Sequence, residues 1–419
     1  MKKIYLDYAA TTPVDLAVLA AMQPYFAEKY GNAGSLHGLG QEAIAAIDKA
    51  RGVIAKVIDA EFDEIIFTGS ATEANNLALR GTIESLLNLA KRISVKPEFQ
   101  QIEKFSRDLP FGRNTIEIHR PKIIVSSIEH ESVLETARDL EKEGLKVVYL
   151  PVDKNGVVDL ERLKNSLDER TILVSVMCAN NEIGTIEPIA EISKIIKDFN
   201  HEILFHTDAV QALQYLDCNV NKLGVDLMTL SAHKIYGPKG IGALYIRNGV
   251  KDKITPVITG GGQEFGFRSG TENVPSIVGF AEAVKIVVAK REVEKKRVGE
   301  LKDHFWTELK KIYPKAEING GLPARAGGPA RASEPALPNI LNIYFPNQSS
   351  EDLLIKFDMA GIAVSSGSAC SARSTKPSHV LSALGLPPEK VKSSMRFSFG
   401  RSTTKEEVQD TLERMKTII

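Results

Sequence analysis

Residues 203–211 read ILFHTDAVQ and residues 226–246 read DLMTLSAHKIYGPKGIGALYI. In the first stretch an apolar run, Ile203 to Thr207, delivers an acid, Asp208, to its carboxyl end. In the second, Asp226 to Leu230 and Gly242 to Ile246 are two further runs of this kind, and Ser231-Ala232-His233-Lys234 sets a lysine just past the first of them. Similar runs at Glu64 to Thr68, Lys122 to Ser126, Lys146 to Leu150 and Thr171 to Met177 complete a set that reads as seven strands. Amphipathic stretches lie between them. Ile44, Ile47, Ile54 and Ile58 fall on one helix face, and Asp159 to Leu167 reads as a helix after a turn at Asn155-Gly156. Strands alternating with helices predict an α/β fold with a mostly parallel sheet covered on both faces. Ligands of such sheets sit beyond the carboxyl ends of the strands, where Asp208 and Lys234 fall.

After Gly262 the texture changes. A long charged helix from about Ala281 to Tyr313 leads to Asn339 to Phe345, a helix near Glu351, strands at Ile362 to Ser366 and Met395 to Phe399, and a terminal helix from Thr404. The expected organisation is a large domain over residues 15–262 and a smaller α+β domain built from residues 1–14 and 263–419. Residues 93–120 and 320–335 fit neither pattern and read as surface insertions.

The 419 residues are 43% hydrophobic, enough for substantial cores, and 53 Lys plus Arg balance 53 Asp plus Glu. No global field draws such a chain to nucleic acid or an anionic membrane. The opening MKKIYLDYAATTP meets Asp7 and Pro13 before any apolar core of a signal peptide, and no run approaches about 18 apolar residues. A cytoplasmic protein is expected. Three widely separated cysteines, Cys178, Cys218 and Cys370, offer neither a disulfide framework nor a zinc site. His201-Glu202 with His206 has the wrong spacing for a zinc helix, so no metal is expected. Cys178 and Cys218 read as small buried hydrophobes. Cys370 differs: it lies in SSGSACSAR, residues 365–373, a run of small polar residues suited to an exposed loop and a travelling nucleophile.

A lysine past a strand end can hold an aldehyde as a Schiff base, and a nearby carboxylate can keep a pyridine nitrogen protonated, which is the protein's share of pyridoxal phosphate chemistry. A phosphate cradle supports this. The strand ending at Thr68 turns through Gly69-Ser70 into a helix beginning Ala71-Thr72-Glu73, whose first N–H groups and Thr72 hydroxyl suit a dianion. Ser231 and His233 add donors at a second strand end. Locally, Ser70 or Thr72 is equally well an ordinary helix cap, and Lys234 a surface lysine beside a glycine turn.

Taken together, YLDYAATTP (5–13), TGSATEANN (68–76), SSIEHESV (126–133), NNEIG (180–184), HTDAVQ, SAHKIYGPKGIGALY, GGGQEFGFRSGTEN (260–273) and SSGSACSA resemble the pyridoxal phosphate-dependent cysteine desulfurases of the NifS/IscS type. These are class V members of the fold type I aminotransferases. The resemblance implies that Lys234 carries the cofactor, Asp208 pairs with its ring nitrogen, Gln211 contacts its ring hydroxyl and His130 stacks over the ring. Ala71, Thr72, Ser231 and His233 would hold the phosphate, with Thr271 reaching in from the second subunit of a homodimer. Asn181 and Arg396 would take the carboxylate of L-cysteine. Cys370 would accept the sulfur as a persulfide, with Lys234 or His130 as base, and pass it to an acceptor protein for iron–sulfur cluster assembly or tRNA thiolation. Two other activities stay open, selenocysteine lyase and cysteine sulfinate desulfinase, as does a non-catalytic assembly subunit. One departure is Ala232, where many relatives carry Gly.

Overall fold

The computed structural model describes residues 2–94, 121–321, 336–367 and 377–419. Most of the two expected insertions, and Cys370, lie outside the described residues. In chain order the strands are β1 (Ile4–Tyr5), β2 (Ile65–Thr68), β3 (Lys122–Ser126), β4 (Lys146–Leu150), β5 (Thr171–Ser175), β6 (Leu204–Asp208), β7 (Leu227–Ser231), β8 (Gly242–Ile246), β9 (Glu317–Ile318), β10 (Ile340–Tyr344), β11 (Ile362–Ala363) and β12 (Ser394–Ser398).

Among the described residues, seven of these form the central sheet in the order β2-β8-β7-β6-β5-β3-β4. Pairing is parallel from β7 to β4, while β8 runs antiparallel to both β2 and β7. The α/β class and the mostly parallel sheet agree with the sequence. Neighbouring residues in each strand point to opposite faces, and here both faces are apolar. Phe205, Met228 and Tyr245 join the cluster of Ile47, Ile54 and Ile58. Leu204, Leu227 and Leu244 join the opposite cluster with Leu77, Val133 and Leu134. A strand covered on both sides reads as a continuous apolar run, the pattern seen in the sequence.

Two strand ends differ from expectation in a way that matters. Asp208 and Ser231 are the last residues of β6 and β7 rather than the first residues beyond them, because Asp208 registers against Thr229 and Ser231 against Gly242. Both are thereby fixed by the ladder itself.

The long helix starts at Val274, earlier than the expected Ala281, because Asn273 caps it by accepting from the Ser276 N–H and Pro275 fits its first turn. Its first half gives Ile277, Phe280, Val284 and Val287 to the cluster beneath the central sheet. Its second half gives Val298, Leu301, Phe305 and Leu309 to another cluster under the β12-β10-β9 sheet, with Phe345, Phe357, Phe397 and Phe399. Ile4 and Leu6 from the start of the chain belong to that second cluster, since β1 pairs in parallel with β11. The Phe305 ring stands 5.0 Å from the Phe397 ring and 5.5 Å from the Phe399 ring.

Phe305→Ala removes a fully buried ring that contacts two others, so a loss of about 3–5 kcal/mol is expected. Chemical denaturation followed by intrinsic fluorescence checks it.

Candidate active site

Because β2 and β7 both run antiparallel to β8, the carboxyl ends of β2, β3, β5, β6 and β7 emerge on one edge of the sheet. That edge collects the residues singled out in the sequence. Asp208 is buried there, 5% exposed, and its carboxylate accepts from the Asn75 side-chain amide at 2.8 Å and from the Val210 N–H at 3.0 Å. A buried carboxylate without such donors would be costly, and charge-assisted bonds offset that cost.

Lys234 ends a 3-10 turn, Ala232–Lys234, that follows β7 directly. Its Nζ donates to the carbonyl oxygens of Ala9 at 2.8 Å and Ala10 at 2.7 Å. The same Ala9 oxygen accepts from Gln211 Nε2 at 2.9 Å, so Lys234 and Gln211 meet at one atom. Ala232 is buried and stays out of the left-handed backbone region, which is why a side chain is tolerated where many relatives have none.

His130 caps the Glu131–Lys142 helix after β3, with Nδ1 accepting from the Ser132 N–H at 3.1 Å. Burial pushes its pKa down, the Asp208 carboxylate opposes that, and the Lys234 ammonium reinforces it. Both charged residues are therefore close enough to act on the ring. His233 is pushed down to about 4 by burial and then by Lys234, Lys239 and His130. Its Nδ1 lies 3.1 Å from Thr11 Oγ1.

The cradle is built by close approach. A Cβ on Gly242 would lie 2.7 Å from the Ser70 carbonyl carbon and 2.9 Å from the Leu230 oxygen, so only glycine lets the end of β2 sit against β7 and β8. Ser70 Oγ accepts from the Glu73 N–H at 3.1 Å and starts the Ala71–Ser94 helix. The Glu73 carboxylate accepts from the Gly69 N–H at 2.9 Å and is paired with Arg268, also at 2.9 Å. The cap and the phosphate reading are thus compatible: Ser70 caps through the Glu73 N–H, while the N–H groups of Ala71 and Thr72, in the first turn, have no intrahelical acceptor. Ser231 is buried at the end of β7. Thr271 is exposed and lines, with Thr68, Gly69, Gly240 and Arg268, a cavity of about 260 Å³.

Asn181 and Arg396 are brought together from distant parts of the chain. Arg396 Nη1 donates to the Asn181 carbonyl at 3.0 Å, and Nη2 pairs with Asp7 at 2.7 Å. The guanidinium is fully buried on β12, and its Nε has no hydrogen-bond partner among the described residues. Asn75, Ser132, Asp7 and Glu129 received no role from the sequence, although each lies inside a quoted motif. Glu129 is buried, accepts from the Met177 N–H at 2.5 Å, and is pushed well up by burial and then by Asp208. His206, weighed as a metal ligand, is instead buried in β6 between Ser175 Oγ at 2.8 Å and Thr229 Oγ1 at 3.1 Å, while His201 is exposed.

These residues fit pyridoxal phosphate: a buried carboxylate of the kind a ring nitrogen would need, a lysine amine and a histidine on the same edge of the sheet, and a helix start opened by Gly242. The class V aminotransferase model matches residues 4–97 and 115–411. A cysteine desulfurase IscS of Dictyoglomus turgidum is 44% identical over 418 residues, spanning 100% of this chain and 95% of the relative. A cysteine desulfurase IscS 1 of Archaeoglobus fulgidus is 41% identical over 415 residues, 99% of this chain and 96% of its own. A solved NifS-like protein superposes with a TM-score of 0.83 at 38% identity, covering 100% of this chain and 99% of that one. The architecture is that of the fold type I pyridoxal phosphate enzymes. Within that class, the chain belongs to the class V aminotransferase family.

His206 titrates near 4 in the folded chain because burial disfavours its charged form, against 6.5 when exposed. Between those values the unfolded state binds the extra proton, so this contribution to stability is complete above pH 6.5 and is lost as pH falls through 4. Thermal midpoints measured from pH 7 to pH 4 are expected to fall less steeply in His206→Asn than in the parent.

Proposed function

We propose that this protein is a pyridoxal phosphate-dependent cysteine desulfurase, converting L-cysteine and the Cys370 thiol into L-alanine and a Cys370 persulfide. One observation carries the reading. Asp208, at the end of β6, and Lys234, in the turn after β7, leave the same sheet edge, and Lys234 and Gln211 meet at the Ala9 carbonyl, where a pyridine ring, its imine and its hydroxyl need them.

Bound pyridoxal phosphate supplies an electron sink for the pair left when the substrate loses its α-proton. Lys234 would hold the cofactor, and its Nζ would be the base that takes that proton. Asp208 keeps the ring nitrogen protonated and Gln211 serves the ring hydroxyl. Ala71, Thr72, Ser231 and His233 hold the phosphate, joined by Thr271 of a second copy in a homodimer; the exposure of Thr271 supports a role toward a partner. Arg396 binds the substrate carboxylate beside Asn181, and its buried, unpartnered Nε supports that role. The Cys370 thiolate then attacks the substrate sulfur: a sulfur–sulfur bond forms, the carbon–sulfur bond breaks with its electron pair going to Cβ, which gains a proton, and Lys234 returns a proton to Cα to complete alanine. The persulfide passes to an acceptor protein, scaffold or carrier, serving iron–sulfur cluster assembly or tRNA thiolation. The smaller domain, residues 1–14 and 263–419, belongs to the same reading, supported by Ile4 and Leu6 packing with Phe397 and Phe399. No described helix is long and apolar enough to cross a membrane. The reading includes a cytoplasmic location and no nucleic-acid or membrane partner, which the zero net charge supports.

Lys234→Ala is expected to lower alanine formation by about 10²–10⁴-fold, the usual worth of a positioned base, and to remove borohydride-fixed cofactor. Cys370→Ala abolishes both cysteine turnover and the added sulfur that mass spectrometry locates on Cys370 in the parent; turnover retained without Cys370 sinks the persulfide route. Arg396→Lys keeps the charge but loses the fork, so KM for L-cysteine rises more than kcat falls in steady-state assays.

A further inference from the structure

Asn75 lies in the first turns of the Ala71–Ser94 helix and is fully buried. Its Nδ2 stands 2.8 Å from Asp208 Oδ2 and 2.8 Å from Ser132 Oγ. A carboxylate only accepts, so the nitrogen end of the amide must face both atoms. Each amide hydrogen then has its own acceptor. Ser132 Oγ has a hydrogen of its own to give, and His130 Nδ1 lies 2.9 Å away. The Ser132 backbone N–H points at the same ring nitrogen from 3.1 Å. Two donors converging on Nδ1 leave it no place for a proton, so the neutral ring carries its hydrogen on Nε2.

A second observation separates this arrangement from ordinary packing. The Asn75 Oδ1 is buried and has no hydrogen-bond partner among the described residues. An apolar side chain of similar shape would leave nothing of its own unpaired there, so the orphaned oxygen is a cost borne for the sake of the nitrogen end.

We propose that Asn75 is a positioning residue which spans Asp208 and Ser132 and, through the Ser132 hydroxyl, holds His130 as the neutral imidazole protonated on Nε2. His130 thereby presents a donor to the site rather than a lone pair, and the base role passes to Lys234. One amide ties the orientation of the anion to the tautomer of the histidine. The inference deepens the pyridoxal phosphate reading and rests on it.

The test uses the full chain, labelled with ¹⁵N-histidine and supplied with pyridoxal phosphate, with the His130 resonances assigned by their loss in His130→Gln. In the parent, His130 is expected as the Nε2–H tautomer. Asn75→Ala frees the Ser132 hydroxyl to turn away from Nδ1, so the neutral ring loses one of its two donors and the His130 pKa rises by about 0.5–1 unit, the worth of one hydrogen bond. Ser132→Ala moves it in the same direction, and the double variant moves it no further than the larger single change, because the two act in series. A His130 titration unmoved in Asn75→Ala, or shifts that add in the double variant, overturns the proposal. If Asn75→Ala fails to fold, Ser132→Ala alone decides: an unchanged His130 pKa overturns it. Turnover is not read, so a wrong substrate assignment leaves this result standing. Failure of the cofactor reading appears separately, as absence of fixation to Lys234.

Discussion

The register between β6 and β7 is the constraint on which the site depends. Asp208 pairs with Thr229 and Ser231 ends the neighbouring strand, so the carboxylate and the turn that carries Lys234 leave the sheet side by side. A slip of one residue would send the Asp208 side chain to the opposite face, away from Asn75, His130 and Lys234. The apolar alternation Leu204-Phe205 and Leu227-Met228 prevents that slip only in combination with burial on both faces. Packing energy spread over the whole sheet is thereby converted into the placement of one anion.

A second constraint comes from the start of the chain, which works as a strap between the two clusters. The Ala9 carbonyl receives Lys234 and Gln211, Thr12 bonds the His233 carbonyl through both its N–H at 3.0 Å and its hydroxyl at 3.0 Å, and Ala9 N–H meets Ser398 Oγ at 2.9 Å. Two residues earlier, Asp7 pairs with Arg396. The segment therefore bonds both to the turn that carries Lys234 and to Arg396 on β12. Buried as it is, Arg396 needs an anion and Asp7 supplies one.

Much of this was legible because it is local. Each expected strand of the central sheet appears, with ends moved by a residue or two, since a short apolar run bounded by turn residues has few other uses. The caps at Asp159, Thr404 and Ser70 follow from side chains that bond to their own helix starts. The early start of the Val274–Ile312 helix was missed, although Asn273 and Pro275 signal it, because the apolar stripe of its first half reads as a separate element until the partner cluster is known. Asp208 and Lys234 were singled out through their places at strand ends and His130 through the family resemblance, and the structure sets all three along one edge of the sheet. Asn75 and Ser132 were not singled out, because polar residues in the first turns of two helices look solvent-facing until the burial of Asn75 and its bond to Ser132 show otherwise.

By itself, the sequence determined the chemistry on offer and the elements that carry it: a lysine, a carboxylate, histidines, a glycine-opened helix start and a cysteine among small residues, set at the ends of strands. Only the tertiary structure decided which of them act on one another, because Asp7 meets Arg396, and Asn75 meets both Asp208 and Ser132, across separations that no local periodicity encodes. The physical reason is that strand order, register and burial are collective properties. A side chain's proton and partners are settled by neighbours that arrive only when the whole sheet has closed.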